Sequence, residues 1–457
     1  MVYFSDLRFG FEFETLMNAI HLDLRTTDTK LNKIQQALSE CVDICQDTNV
    51  EVSKCPQDYN EQDFNFKVIS DKDENDTKDK KPFWAITLDS SVELRPELNY
   101  LCVHPYFYYN LKDTMDDDKH ATLRKNSNNS IIEHLEIVSP ILKYDQIHIV
   151  KSAVKLFNGQ WPCYEKPQWE CFNNHTTSHH IHYSINESSK NPVCVFRDYK
   201  TLFKICSYWL YFEPLFLQLV PFWRNSNKYC KSMFDYIAKK HACDPGKPCN
   251  SLIEFMKDMK FDNIKNGNTS VEEVIKLFQG VSRYSAMNMM NIYNNTINTI
   301  EVRLKHGSND GLELAQYICF FAFFFIACCN VDKFAYEINE KLPNLQTIAL
   351  KSRIHDPKEY INLLFIQFFK FVNLYCVSSD VSHETKVQIE SSINSTKIYM
   401  KHQLEIILPK YTTFPKQYNY GNDSDSDDDD EHYNGGNLNL EKVKNDTKCR
   451  RISLLNY

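Results

Sequence analysis

The chain has 457 residues, 42% of them hydrophobic, and a formal net charge of −8 at pH 7. That length supports one large domain or two to three modest ones around a real apolar core. The acidic balance excludes a chain-wide electrostatic nucleic-acid binder, and part of the excess is local, in the almost wholly acidic run 423–431.

Sixteen cysteines fall in no paired C-x-x-C zinc spacing and are too dilute for a disulfide scaffold. Cys41 and Cys45, one helical turn apart, and the adjacent Cys328 and Cys329 read as packing residues. The opening ten residues carry no basic region or cleavage signal, and the apolar run 317–329 is too short to cross a bilayer. The expectation is a reduced, cytoplasmic protein with a buried central helix, no membrane span and no nucleic-acid partner. Oligomeric state is left open.

In chain order, a first strand is expected over 3–16, then a helix near 29–47 with Leu31, Ile34, Leu38, Val42 and Cys45 on one face. The polar stretch 57–81 reads as a loop or insertion. A strand follows over 84–89, with Trp84, Ile86 and Leu88 inward. A second insertion covers 101–130. Next come a strand at 135–142, a helix at 145–157 and a strand at 179–185. An aromatic helix spans 197–220 and ends at Pro221, and shorter helices fill 227–242, 251–260 and 270–281. The last strand is 299–305, the apolar helix is 310–330, and 333–408 is helical. Beyond 413 the chain is polar and acidic, and reads as disordered.

Alternating strands interleaved with helices predict an α+β fold. The sheet is mostly antiparallel, with helices on one face and a polar working face on the other. The organisation is a catalytic domain at 1–330, a helical C-terminal extension at 331–412 and an acidic tail at 413–457.

The chemistry lies in four of those strands. Residues two apart in a strand share a face, so Glu12 and Glu14 point together with Phe11 and Phe13 behind them. By the same count His180 pairs with His182, and Glu301 with Arg303, while Glu136 heads Glu136-Ile137-Val138-Ser139-Pro140. Four carboxylates with one or two imidazoles suit hard cations such as Mg2+ or Mn2+ better than zinc. Such a set can hold two ions, and two ions can bridge the phosphates of ATP. Arg303 and Arg224 are the guanidinium candidates for phosphate or carboxylate oxygens. Neither a G-x-x-x-x-G-K loop nor a G-x-G-x-x-G motif occurs, and no nucleophile elbow is present.

Taken in order, these motifs resemble the amidoligase family of carboxylate–amine ligases. Gly10-Phe11-Glu12-Phe13-Glu14 is similar to its Gly-x-Glu-x-Glu, and Trp84 to Ser91 to its Trp…Asp-Gly-Ser segment. Glu136 to Leu142 resembles its Glu-(apolar)-Val-Ser-Pro-Ile-Leu, and Ser178-His179-His180-Ile181-His182 its Gly-Leu-His-Val-His. Pro221 to Cys230, Tyr284 to Asn288 and Thr299 to Arg303 complete the series, over about residues 5–330. Ser178 and Ser90 stand where the family pattern has glycine.

The resemblance implies a glutamine synthetase-like catalytic core and an ATP- and Mg2+-dependent (or Mn2+-dependent) ligase. Such an enzyme joins a carboxylate substrate to an amine substrate (amino acid, peptide or protein) through an acyl phosphate. It implies that Glu14 and Glu136 hold one metal, and Glu12, His180 and Glu301 the other. His182 would contact phosphate, Arg224 and Arg303 would stabilise the transferring phosphoryl group, and Asp89 would orient the amine or a water. The alternatives are a catalytically inert binding protein with the same fold, or another divalent-metal enzyme such as a phosphohydrolase.

Overall fold

The computed structural model describes residues 2–18, 32–36, 38–39, 66–68, 83–88, 132–158, 170–173, 177–186, 194–221, 224, 229–233, 236–237, 269–332, 357–377 and 382–407. Asp89, the insertion at 101–130, the expected helix at 251–260 and the acidic tail lie outside these residues.

The centre of the molecule is a mostly antiparallel sheet built around one long strand, β1 (Leu7–Asn18). Its companions are β2 (Phe66–Val68), β3 (Trp84–Leu88), β4 (Ile132–Val138), β5 (Leu142–Lys143), β6 (Glu170–Phe172), β7 (Ser178–Ile185), β8 (Met287–Asn288) and β9 (Ile300–His306). The strand order is β2-β3-β4-β1-β7-β9-β8, with β5 and β6 also paired to β1. β2 falls inside the stretch expected to be a loop, and it pairs parallel to β3 while every other pair is antiparallel. Its few residues sit among Asp, Lys, Asn and Glu, too short a run for a period-two pattern to show.

The expected strand 135–142 is two strands, because proline carries no N–H to continue a ladder. β4 ends at Val138, Pro140 breaks the pairing, and β5 resumes at Leu142. Ser139 bridges the gap. Its hydroxyl accepts from the Phe11 N–H at 2.8 Å, and its own N–H donates to the Phe11 carbonyl at 2.8 Å.

One face of the sheet is apolar, with Phe9, Phe11, Phe13, Leu135, Ile137, Ile181, Tyr183, Ile300 and Val302 all buried. Two helices lie against it, α1 (Ile147–Phe157) and, after α2 (Tyr199–Gln218) and α3 (Val271–Phe278), α4 (Gly311–Asn330). Phe157 of α1 packs on Phe13 and Trp84, with ring centroids 5.4 and 5.3 Å away. Tyr183 packs on Phe325 at 5.0 Å, and its hydroxyl donates to the Ile318 carbonyl at 2.9 Å. α1 and α4 cross closely at Gly311, where a Cβ would stand 2.9 Å from the Lys151 backbone.

Asp310 caps α4 by accepting from the Leu312 and Glu313 N–H groups. The helix is long and apolar enough to cross a membrane, but 83% of its apolar window is buried inside this molecule. It is a core helix. Its outer side is covered by α2 and by two C-terminal helices, α5 (Pro357–Cys376) and α6 (His383–His402). Phe320 stacks on Phe368 at 4.3 Å, and Tyr208 on Phe371 at 4.6 Å. The C-terminal helices therefore share the core of the sheet-bearing part.

Candidate metal centre and active site

The register brings the ligand-type residues into one row across β4, β1, β7 and β9. Residues directly opposite in a ladder share a face. Glu14 lies opposite Glu136, Glu12 opposite His180, and His182 opposite Glu301. Asn288 of β8 extends the row by lying opposite Glu301. The phenylalanines of β1 take the other face and anchor it in the helices, so the polar face is held by core packing.

His180 sits among three carboxylates. Its Nδ1 is 2.8 Å from Glu12 Oε2 and 3.4 Å from Glu301 Oε1, and its Nε2 is 3.4 Å from Glu14 Oε1. His182 Nε2 is 2.8 Å from Glu12 Oε1, so Glu12 divides its two oxygens between two imidazoles. Burial works to raise the Glu12 carboxyl, but the His182 charge and the hydrogen bonds from both histidines outweigh it and hold Glu12 well below the usual carboxylate range. Burial likewise opposes the charge on His182, and the Glu12 carboxylate overcomes it, pushing His182 up to about 9.

Glu301 is oriented from both sides. Arg303 Nη1 donates to Oε1, and Asn288 Nδ2 donates to Oε2 at 2.7 Å. Asn288 is held in turn by Gln279, whose Nε2 donates to the Asn288 Oδ1 at 2.9 Å. Burial disfavours the Arg303 charge, but Glu301, Glu12 and Glu14 together raise its pKa further.

The ligand atoms of Glu12, His182 and Glu301 lie within 4.8 Å of one another, close enough to meet on one ion. Two carboxylates and an imidazole form a donor set that suits Mg2+ or Mn2+. Glu14 and Glu136 stand directly opposite each other across the β1–β4 ladder, on the same face. His182 is an addition to the expected set of Glu12, His180 and Glu301, since His180 Nδ1 also lies near both Glu12 and Glu301 while its Nε2 faces Glu14.

The two arginines differ in what they reach. Between the pairs His179–Lys305 and Ile181–Val302, β7 has one residue, His180, and β9 has two, Arg303 and Leu304. This bulge lets Arg303 face the carboxylates while Lys305 turns to the helices. Arg224 is buried, and both its Nε, at 3.1 Å, and its Nη2 donate to the Arg303 main-chain carbonyl. Arg303 Nε donates to the Tyr229 carbonyl at 3.2 Å.

Sequence reasoning missed Gln279 and the roles of Ser178 and Asn288. The signal for Asn288 was a lone amide inside the apolar run Ala286-Met287-Asn288-Met289-Met290. It also missed a buried polar cluster on the helix side. Lys305 Nζ is 3.1 Å from Glu313 Oε1, His306 Nε2 is 3.4 Å from the same oxygen, and His179 stacks on Phe13 at 4.8 Å. A bulge that moves Lys305 across the sheet leaves no trace in a period-two count.

The fold and site together define an α+β protein that gathers carboxylates, histidines and an arginine on the polar face of an antiparallel sheet. A family model described as "putative amidoligase enzyme" matches residues 5–324, and the chain belongs to this amidoligase family. Comparisons with curated proteins and with solved structures gave no match.

Proposed function

We propose that the protein is an ATP- and Mg2+-dependent carboxylate–amine ligase working on a glutamine synthetase-like core. Family membership supports a ligase-type enzyme. The observation that carries the finer reading is the convergence of Glu12, His182 and Glu301 beside Arg303 on one sheet face.

In this reading Glu12, His182 and Glu301 hold one Mg2+ or Mn2+ with His180 Nδ1 beside them, and Glu14 and Glu136 serve a second. The cations supply charge neutralisation for the ATP phosphates. Arg303 offers its guanidinium to the transferring γ-phosphoryl group, whose oxygens match that fork. A substrate carboxylate oxygen attacks the γ-phosphorus, the bond to ADP breaks, and an acyl phosphate forms. The amine then attacks the acyl carbon, phosphate leaves with the C–O bond electrons, and the amine loses a proton to give the amide. Arg224 acts behind Arg303 by holding its carbonyl, and Asp89 is assigned to the amine side on the family resemblance alone.

The partners are therefore a carboxylate and an amine, drawn from amino acids, peptides or proteins. Hydroxylamine tests the scheme, because it captures an acyl phosphate as a hydroxamate. Incubation with Mg2+, ATP and a panel of carboxylates is expected to give hydroxamate and ADP in equal amounts with one class of acid. ADP release that ignores the carboxylate would instead identify a phosphohydrolase.

A further inference from the structure

Ser178 opens β7 two residues before His180, on the same face, and is almost fully buried. Its Oγ makes two polar contacts. It donates to Glu14 Oε2 and lies 2.8 Å from His180 Nε2. A hydroxyl has one proton to give, and an ionised carboxylate can only accept. With that proton on Glu14, the oxygen presents a lone pair to His180, so Nε2 must carry the hydrogen.

When the ring ligates a cation it is neutral, and with the hydrogen on Nε2 its lone pair lies on Nδ1. This is the nitrogen that faces Glu12 Oε2 at 2.8 Å and Glu301 Oε1 at 3.4 Å. We infer that Ser178 is a positioning residue. It fixes the tautomer of His180 so that Nδ1 is offered to the cation held near Glu12 and Glu301, and it couples that choice to Glu14. The inference rests on the proposed metal site and adds the residue that sets its geometry. Partners of this kind fix the ring nitrogen available to a metal and tune its affinity.

The test uses the full chain labelled with 15N-histidine and loaded with Mg2+, together with Mn2+ titration read by the electron paramagnetic resonance of the free ion. In the wild type, the His180 signals, assigned by their loss in His180→Asn, are expected to show a protonated Nε2 and an unprotonated Nδ1. Ser178→Ala should lose that single-tautomer pattern and weaken Mn2+ about 10- to 100-fold, and Ser178→Thr, which keeps the hydroxyl, should retain both. An unchanged tautomer and Mn2+ affinity in Ser178→Ala would overturn the inference while leaving the metal site standing. A wild type that binds no Mn2+ would overturn the metal site and the inference with it.

Discussion

Arg224 grips Arg303 by its main chain: Nε at 3.1 Å and Nη2 both donate to the Arg303 carbonyl, at the bulge that follows Glu301. One arginine thus sets the backbone from which the other is aimed. Removing a buried donor pair from a carbonyl costs about 1–3 kcal/mol.

Arg224→Lys keeps the charge but cannot donate the same fork. It should lower the unfolding midpoint and weaken Mn2+ and Mg-ATP binding together, because Glu301 and Arg303 move as one. Titrations of both ligands check this. Weakened Mg-ATP with unchanged Mn2+ would instead mean that Arg224 touches phosphate directly.

Asn288 supplies a second handle on the same carboxylate. Asn288→Ala frees Glu301 Oε2 from its 2.7 Å hydrogen bond and leaves Gln279 Nε2 with the Ser282 carbonyl as its acceptor. Mn2+ affinity should fall about 10- to 100-fold while the fold persists, as found for partners that orient metal ligands. Equal affinity in the variant would show that Glu301 needs no such support.

Stability of the cation-free protein should peak near neutral pH. Burial lowers His179 to about 3 and, with the Lys305 charge, His306 well below its usual 6.5. Both rings stay neutral in the folded protein, so their contribution is present above 6.5 and is lost as the pH falls below it. Burial opposes the charged form of Glu313, but Lys305 and His306 hold it at about 2, which acts in the same direction below 4.5. His182, raised to about 9, contributes below 6.5 and loses that contribution as the pH climbs through 9. Each titrating group adds a slope of up to about 1.4 kcal/mol per pH unit. Urea unfolding across the range should show a maximum with losses on both sides, and a flat profile would contradict the assignment.

The C-terminal helices are read here as scaffold. Phe368 stacks on Phe320 at 4.3 Å and is fully buried. Phe368→Ala should cost about 3–5 kcal/mol in chemical denaturation, the range for a large core truncation. Mn2+ affinity should stay unchanged, since the helix lies on the opposite side of α4 from the sheet. A lost metal site in a folded variant would point to coupling through α4.

Much of the site was legible because a strand repeats every two residues. Glu12 with Glu14, His180 with His182 and Glu301 with Arg303 land on the face their spacing predicts. The apolar backing of Phe11, Phe13, Ile181 and Val302 was legible for the same reason. The grouping was not, because it depends on register between strands far apart in sequence. Nothing in the spacing says that His182 joins His180 in coming within reach of Glu12 and Glu301. Ser178, which stands where the family has glycine, shows its bond to Glu14 only when β1 and β7 lie side by side. The bulge hid Lys305 and Glu313 as well, since it breaks the period that made the rest readable.

The central claim is that this sheet face binds cation and nucleotide together. Calorimetric titration of Mg-ATP into the wild type, beside a folded Glu12→Gln/Glu14→Gln double variant, tests it most directly. The account predicts binding that requires Mg2+ and disappears in the double variant. A folded wild type that takes up no Mg-ATP, or a double variant that binds it equally well, would contradict the account.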